Sequence, residues 1–136
     1  MRLENGRLEL GGKRVLVEVS SAFYGLKKIL RADVGSFERD FMFRAGEEGA
    51  REALADCLSY SKNKSAKEML EDALDSFAVR GFGDFELERF DKETNAIEIN
   101  CAGSAEAWPF LEKNDLQREP VCSYTAGALI WMCRCA

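Results

Sequence analysis

Residues 65–101 read SAKEMLEDALDSFAVRGFGDFELERFDKETNAIEINC, and the architecture turns on this run. Its first four residues, Ser65-Ala66-Lys67-Glu68, form a capping box. The serine hydroxyl serves an early helix amide, and the glutamate three residues on serves the serine's own amide. Leu70, Ala73, Leu74 and Phe77 follow at helical spacing, so a helix is predicted to about Arg80, with Gly81 at the position just past its end. After Phe82-Gly83 the period changes to two. Residues 84–90 and 96–101 read as strands joined by the turn Asp91-Lys92-Glu93-Thr94-Asn95, with Ile97, Ile99 and Cys101 on one face. These strands should pair antiparallel, and their apolar face must be covered by helices.

Working upstream, residues 37–60 read as a long helix capped by Ser36. Placed at 100° per residue, Ala45, Gly46, Gly49, Ala50 and Ala53 fall on one arc, and Asp40, Arg44, Glu47, Glu48 and Arg51 on the opposite one. Asp40–Arg44 and Glu47–Arg51 are i,i+4 pairs of opposite charge, which suit a solvated face. Phe37, Phe41, Phe43, Leu54 and Leu58 fill the flanks. Two glycines inside a helix cost about 1 kcal/mol each against alanine. Close packing against another element would offset that cost, and so would a role for the smooth face in lining a cavity or a dimer seam. Earlier still, Phe23, Leu26, Ile29 and Leu30 mark a helix over about 21–32, capped by Ser20 or Ser21 and ended by Asp33-Val34-Gly35. Leu8 and Leu10, then Val15, Val17 and Val19, alternate with Arg7, Glu9, Arg14, Leu16 and Glu18. This is strand patterning, broken by Gly11-Gly12 as in a short hairpin.

Downstream, residues 102–120 read as irregular, and Pro120 precedes a last helix over about 121–133. Residues 126–132 (AGALIWM) are uncharged, which predicts a helix buried all round.

The chain has 136 residues, 46% apolar and 32% charged, with net charge −5 and no histidine. That length and composition predict one domain, 1–136, with a continuous core. Without histidine there is no Ser-His-Asp or Cys-His nucleophile and no histidine-ligated metal. No P-loop, G-x-G-x-x-G or G-x-S-x-G motif occurs. Residues 1–31 carry seven basic and three acidic side chains, and residues 68–93 three basic and nine acidic. A solvated face explains both better than a nucleic-acid footprint does, and nucleic acid is not an expected partner. Five cysteines, an odd number, stand at 57, 101, 122, 133 and 135. With no apolar leader after Met1, that count argues against a disulfide framework and for the cytoplasm. No run approaches the ~20 apolar residues of a membrane span. Adjacent acids such as Glu47-Glu48 and Glu71-Asp72 point apart on a helix, so no acid–base pair is visible and no enzyme is expected.

Three segments in order, Gly81-Phe82-Gly83-Asp84-Phe85-Glu86, Ser104-Ala105-Glu106-Ala107 and Pro120-Val121-Cys122-Ser123-Tyr124-Thr125-Ala126-Gly127, together resemble the 4-vinyl reductase domain family. The resemblance covers the whole chain in element order. It implies an α+β fold, an antiparallel sheet packed on a set of helices, shared with vesicle-tethering (TRAPP) subunits and with the sensor domains of phenol- and toluene-responsive regulators. It also implies a homodimer with an apolar cavity for a small hydrocarbon or aromatic molecule, in a binding module and not a reductase. The family's final strands have no counterpart before Ala136. In the aromatic sensors a zinc ion is held by the cysteine of Pro-Val-Cys, a downstream glutamate and two downstream cysteines. Cys122 matches the first ligand and the downstream segment is missing, so no cofactor is expected, with zinc held through Cys122 as the alternative. Cys101 stands where those sensors place a phenol-contacting aromatic residue. A pocket lined by Phe41, Phe77, Ile99, Cys101 and Trp108, with Tyr124 and Ala126 at the last helix's start, would prefer an apolar ligand. Trp131 replaces a second small residue of that helix. Two further readings stand beside this one: a cysteine-based redox sensor acting through Cys122, and a structural dimerisation scaffold.

Overall fold

A computed structural model describes residues 2–4, 7–10, 13–15, 21–60, 63–115, 117 and 119–135, with the side chains of 2–15 and 54–60 outside the description. In chain order the elements are β1 (Arg2–Glu4), β2 (Arg7–Leu10), β3 (Lys13–Val15) and α1 (Ser21–Val34). A 3₁₀ turn (Gly35–Phe37) follows, then α2 (Glu38–Tyr60), α3 (Ala66–Val79), β4 (Asp84–Asp91), β5 (Ala96–Ala102), α4 (Trp108–Glu112) and α5 (Ser123–Cys135). Helices packed against a two-stranded antiparallel sheet make this an α+β fold.

The N-terminal strands form an antiparallel sheet in the order β1-β2-β3, with Leu10 paired to Lys13. That register matches a hairpin about residues 11 and 12, and β1 is an edge strand the alternation did not announce. The Gly11-Gly12 turn, Leu16, Val17, Glu18, Val19, the Ser20 cap, Ser61, Lys62 and the side chains of Leu54, Cys57 and Leu58 lie outside the described residues.

The capping box forms as read. Glu68 N donates to Ser65 Oγ at 3.3 Å, and Ser65 N donates to Glu68 Oε2 at 2.7 Å. At the other end of α3, Gly81 takes φ +83°, and its N–H reaches Ala78 O while that of Phe82 reaches Phe77 O. This is a Schellman ending, and its customary apolar contact is the stack of Phe82 on Phe77, centroids 4.6 Å apart. The chain then enters β4. Phe85 pairs with Cys101, Leu87 with Ile99 and Phe90 with Ile97. Glu88 is the extra residue of a bulge between Leu87 and Arg89. The bulge moves Phe90 to the same face as Phe85 and Leu87, a shift that strict alternation would forbid.

The core joins Ala50 of α2, Leu70, Ala73, Leu74 and Phe77 of α3, and Ala128 and Met132 of α5, with the hairpin's apolar face laid against it. The small-residue arc of α2 is a close helix crossing. A Cβ built at Gly46 would lie 1.9 Å from the Tyr124 carbonyl oxygen, and one built at Gly127 would lie 1.9 Å from the Phe43 carbonyl oxygen. Each helix thus presents a glycine to the other's backbone, and this contact offsets the propensity cost of both.

Several local expectations are corrected. Ser36 does not cap α2; it lies in the 3₁₀ turn that carries the chain around Gly35 at φ +62°. Ala45 is exposed, and Met42, in the middle of the small-residue arc and itself large, is buried. Neither Asp40 nor Arg44 has an ion-pair partner among the described residues; Arg51 pairs with Glu48, and Glu47 with Arg134. The segment 102–120 contains the helix α4, started by proline near its first position. Helix α5 is not buried all round: Thr125, Gly127, Ala128 and Met132 face inward, while Ala126, Ile130 and Arg134 are exposed along an i,i+4 stripe.

Two measurements check this architecture. Gly46→Ala and Gly127→Ala should each lower unfolding free energy in urea by about 3 kcal/mol or more, since backbone and not a flexible side chain blocks the new methyl. Gly25→Ala in α1, with no neighbour within 4 Å of the added carbon, should be neutral or raise stability by up to about 1 kcal/mol. In the hairpin turn, Asp91 is held at about 2 by the Thr94 side chain first and Arg89 second, with help from the Thr94 and Glu93 amides. Its folded value lies below its unfolded one, so its stabilisation is complete above about pH 4 and disappears as pH falls through 2. A carboxyl titration by NMR should find a midpoint near 2 for Asp91, and Thr94→Val should raise it.

Candidate functional site

The N-terminal end of α5 is assembled by a residue from another segment. Glu106 is fully buried, in a turn after β5 that also binds back to Ser104 O through the Ala107 and Trp108 amides. Its Oε1 accepts the Tyr124 N–H at 3.1 Å and its Oε2 the Thr125 N–H at 2.7 Å. Since α5 begins at Ser123, these are the second and third amides, which a neighbouring cap side chain ordinarily serves. The carboxylate also sits against the positive end of the helix dipole.

Lys27 of α1, 3% exposed, brings Nζ to 2.7 Å from Glu106 Oε1. The contact is an ion pair off the direction of a good hydrogen bond; neither Lys27 Nζ nor the buried Thr125 Oγ1 has a hydrogen-bond partner among the described residues. A second buried acid, Glu38, heads α2 and is met by Arg31 at 3.3 Å, which itself donates to Gln117. Tyr24 donates to Asp115 at 3.0 Å. Polar contacts thus tie α1 to the 104–117 segment and to the start of α2, and the Lys27–Glu106 pair among them lies at the beginning of α5.

Between the first turns of α2 and of α5 opens a cleft of about 500 Å³. Ser36, Arg39, Asp40 and Phe43 form one wall, and Pro120, Cys122, Ser123 and Ala126 the other. Cys122 stands at the cap position of α5, its carbonyl accepting the Ala126 N–H, and its Sγ lies 3.2 Å from the buried Ser104 Oγ. Arg39 crosses to Glu119 at 2.8 Å on the cleft's outer edge.

The residues singled out from the sequence do not share one space. Phe77 and Tyr124 are joined through Phe82, which stacks on both, with Phe23 and Phe85 edge-on to the set. Cys101 and Ile99 are half-buried on β5, with Cys101 Sγ filling the room that glycine leaves at position 83. Phe41 and Trp108 are 54% and 51% exposed and stand apart from that cluster's interior. Ala126 and Cys122 meet in the α2–α5 cleft. Burial pushes the Cys101 thiol up, reinforced by Cys122 and Asp84, and burial pushes the Cys133 thiol up as well. Burial followed by the Glu106 charge raises the Tyr124 phenol, against the opposing Arg80. Around Cys122 the described residues do not supply the further donors a tetrahedral zinc takes, and among them no three of Cys, Asp and Glu come together to hold a metal.

Sequence reasoning missed Lys27, Glu38 and the capping role of Glu106. Two signals were present. Lys27 interrupts the apolar stripe Phe23-Lys27-Leu30, and Glu38 heads the i,i+4 row Glu38-Met42-Gly46-Ala50. A charged residue on a buried stripe demands a partner.

No protein-family model matches this chain, and no curated protein does.

The buried pair gives a mutational prediction. Lys27→Met alone should cost about 3–5 kcal/mol, because it strands Glu106 without a counter-charge. Lys27→Met combined with Glu106→Gln should cost less than the sum of the two single changes, and a double-mutant cycle in urea reads that coupling.

Proposed function

We propose that this chain is a non-catalytic module that binds a small, mainly apolar molecule in the cleft between the starts of α2 and α5, and that it works as a pair of copies. The observation that carries the reading is the cleft itself. Its volume of about 500 Å³ falls in the range of small-molecule sites, and its walls belong to two helices locked together one turn further on by Gly46 and Gly127. An occupant therefore touches both helices at a place where neither can bend away freely. Phe43 and Ala126 supply apolar surface. Ser36, Ser123 and Asp40 offer hydrogen-bond partners for one polar group, so a small aromatic or aliphatic molecule bearing a single polar substituent suits it better than a pure hydrocarbon. The resemblance to the 4-vinyl reductase domain family supports the class of ligand, though through a cleft at Cys122 and Ala126 and not through the wider residue set drawn from that resemblance. The described residues contain no helix long and apolar enough to cross a membrane.

Cys122 gives a second reading. It is half-buried, lines the same cleft and shares a hydrogen bond with Ser104, an arrangement in which an electrophile entering the cleft meets a thiol. Alkylation by iodoacetamide, followed by peptide mass mapping, distinguishes it: selective labelling of Cys122 supports redox sensing, and equally slow labelling of all five cysteines rules it out.

The binding reading is tested by titrating the protein with 1-anilinonaphthalene-8-sulfonate and displacing it with small phenols, aryl alcohols and medium-chain alcohols. Saturable binding with displacement is expected. Ala126→Trp, which adds volume at an exposed position, should weaken it by about tenfold or more while leaving the melting temperature within about 2 °C. Binding that Ala126→Trp leaves intact would move the site elsewhere, and no displaceable binding by the wild-type chain would end the reading.

A further inference from the structure

The outward side of α2 carries an apolar ridge that the fold does not use. Phe37, the last residue of the 3₁₀ turn that leads into α2, is 65% exposed and Phe41 54% exposed, and with the exposed Ala45 they follow an i,i+4 spacing. Single exposed apolar residues are ordinary, but two phenylalanines and an alanine in one row make a helix-packing surface. Beside the row lies an open notch of about 490 Å³, floored by Phe43 and flanked by Asp40, Arg44 and Glu47. Asp40 and Arg44 are both exposed, one turn apart on the neighbouring row. Neither forms an ion pair among the described residues, although their spacing suits a pair within the helix.

These features fit one occupant. We infer that the Phe37-Phe41-Ala45 ridge is the seam by which α2 pairs with α2 of a second copy of this chain, antiparallel across a two-fold axis near Phe41. Rows spaced by four residues interdigitate at a crossing of about −50°, which keeps the contact short, in keeping with a ridge of about two turns. The two-fold sets Phe37 of one copy over the small Ala45 of the other, and Phe41 enters the notch. It also brings Asp40 of each copy toward Arg44 of the other, so both unpaired charges gain opposite neighbours twice over. An isologous interface must be self-complementary, and this face has both the shape and the charges for it. The inference deepens the pairing half of the proposed function by naming its surface, and it is independent of the ligand half.

The test is sedimentation of the full chain over roughly 5–500 µM, the range that a small helix–helix interface demands. The wild type should be a dimer at the upper end. Asp40→Arg leaves four positive charges facing one another across the seam, and Arg44→Asp leaves four negative ones. Each should raise the dimer dissociation constant by about a hundredfold. Mixing the Asp40→Arg and Arg44→Asp chains should restore a heterodimer, since the charges at positions 40 and 44 then face opposite charges across the seam. Neither substitution touches a buried residue, and unchanged melting temperatures will confirm that both chains fold. A wild type that stays monomeric throughout overturns the pairing reading and the seam together. Variants that dimerise as well as the wild type, or that fail to recover on mixing, overturn this seam while leaving pairing through another face.

Discussion

A carboxylate with no exposed surface, placed where the first amides of a helix need an acceptor, fixes how this molecule is put together. Removing a charged group from water costs several kcal/mol, so Glu106 is tolerable only with compensation in place. Lys27 supplies the counter-charge, and the Tyr124 and Thr125 amides supply directed hydrogen bonds. The partners lie on two elements, Lys27 on α1 and Tyr124 and Thr125 on α5, so one side chain sets α1 against α5 and both against the loop after β5. None of the three compensating contacts is local in sequence. The geometry is therefore reached only when the tertiary fold is reached, which is the behaviour expected of a specificity-giving polar contact.

The position of α5 then determines what α2 must be. With the start of α5 held by Glu106, Gly127 arrives at the Phe43 carbonyl and Gly46 receives the Tyr124 carbonyl. A side chain at either position would force the axes apart and open the core lined by Ala50, Ala128 and Met132. The small arc of α2 is thus a requirement of backbone proximity. From sequence, a row of alanine and glycine admits this explanation and also that of a hollow interior, because both need an absence of side-chain volume. Only the position of the second helix distinguishes them. The open space between α2 and α5 lies at their first turns, where Ala126 and Cys122 face Phe43 and Asp40, and not along the Gly46–Ala53 arc itself.

What the sequence made legible was local. The Ser65–Glu68 box, the left-handed Gly81 and the alternation of Ile97, Ile99 and Cys101 are each decided within a few residues by hydrogen-bond supply, backbone freedom or the two-residue period, and each is found as read. What it concealed depended on distant partners. Glu88 reads as one more strand residue until Phe90 has to face the core, and only pairing with Ile97 makes the bulge necessary. The five residues of α4 are too few for a period to emerge, although Pro109 near its start was a usable sign. The apolar run in α5 concealed an exposed row, because Ala126 and Ile130 are hydrophobic without being buried. The candidate site was legible only at Cys122 and Ala126. The aromatic residues proposed with them are divided between a packed cluster around Phe82 and the solvent-facing Phe41 and Trp108, since an aromatic ring serves core, pocket and interface equally well on composition alone.

The two sides of α2's first turns are physically connected. Asp40 and Phe43 border both the α2–α5 cleft and the outward notch. On the proposed reading, a molecule in the first would contact the same side chains that a second copy would meet in the second. Binding at one affects the other only so far as Phe43 or Asp40 prefers different arrangements in the two states, and any such coupling is equal in both directions. The backbone cannot absorb the difference by sliding, because Gly46 sits against the Tyr124 carbonyl within the next turn. Adjustment is left to side-chain rotation at Phe43 and to the 3₁₀ turn at Gly35–Phe37, the one point in this region where α2 joins α1 through a residue of positive φ. If the proposed cleft and seam are both used, the start of α2 is the place where occupancy would bear on pairing strength, because the crossing at Gly46 and Gly127 holds the helices fixed beyond it.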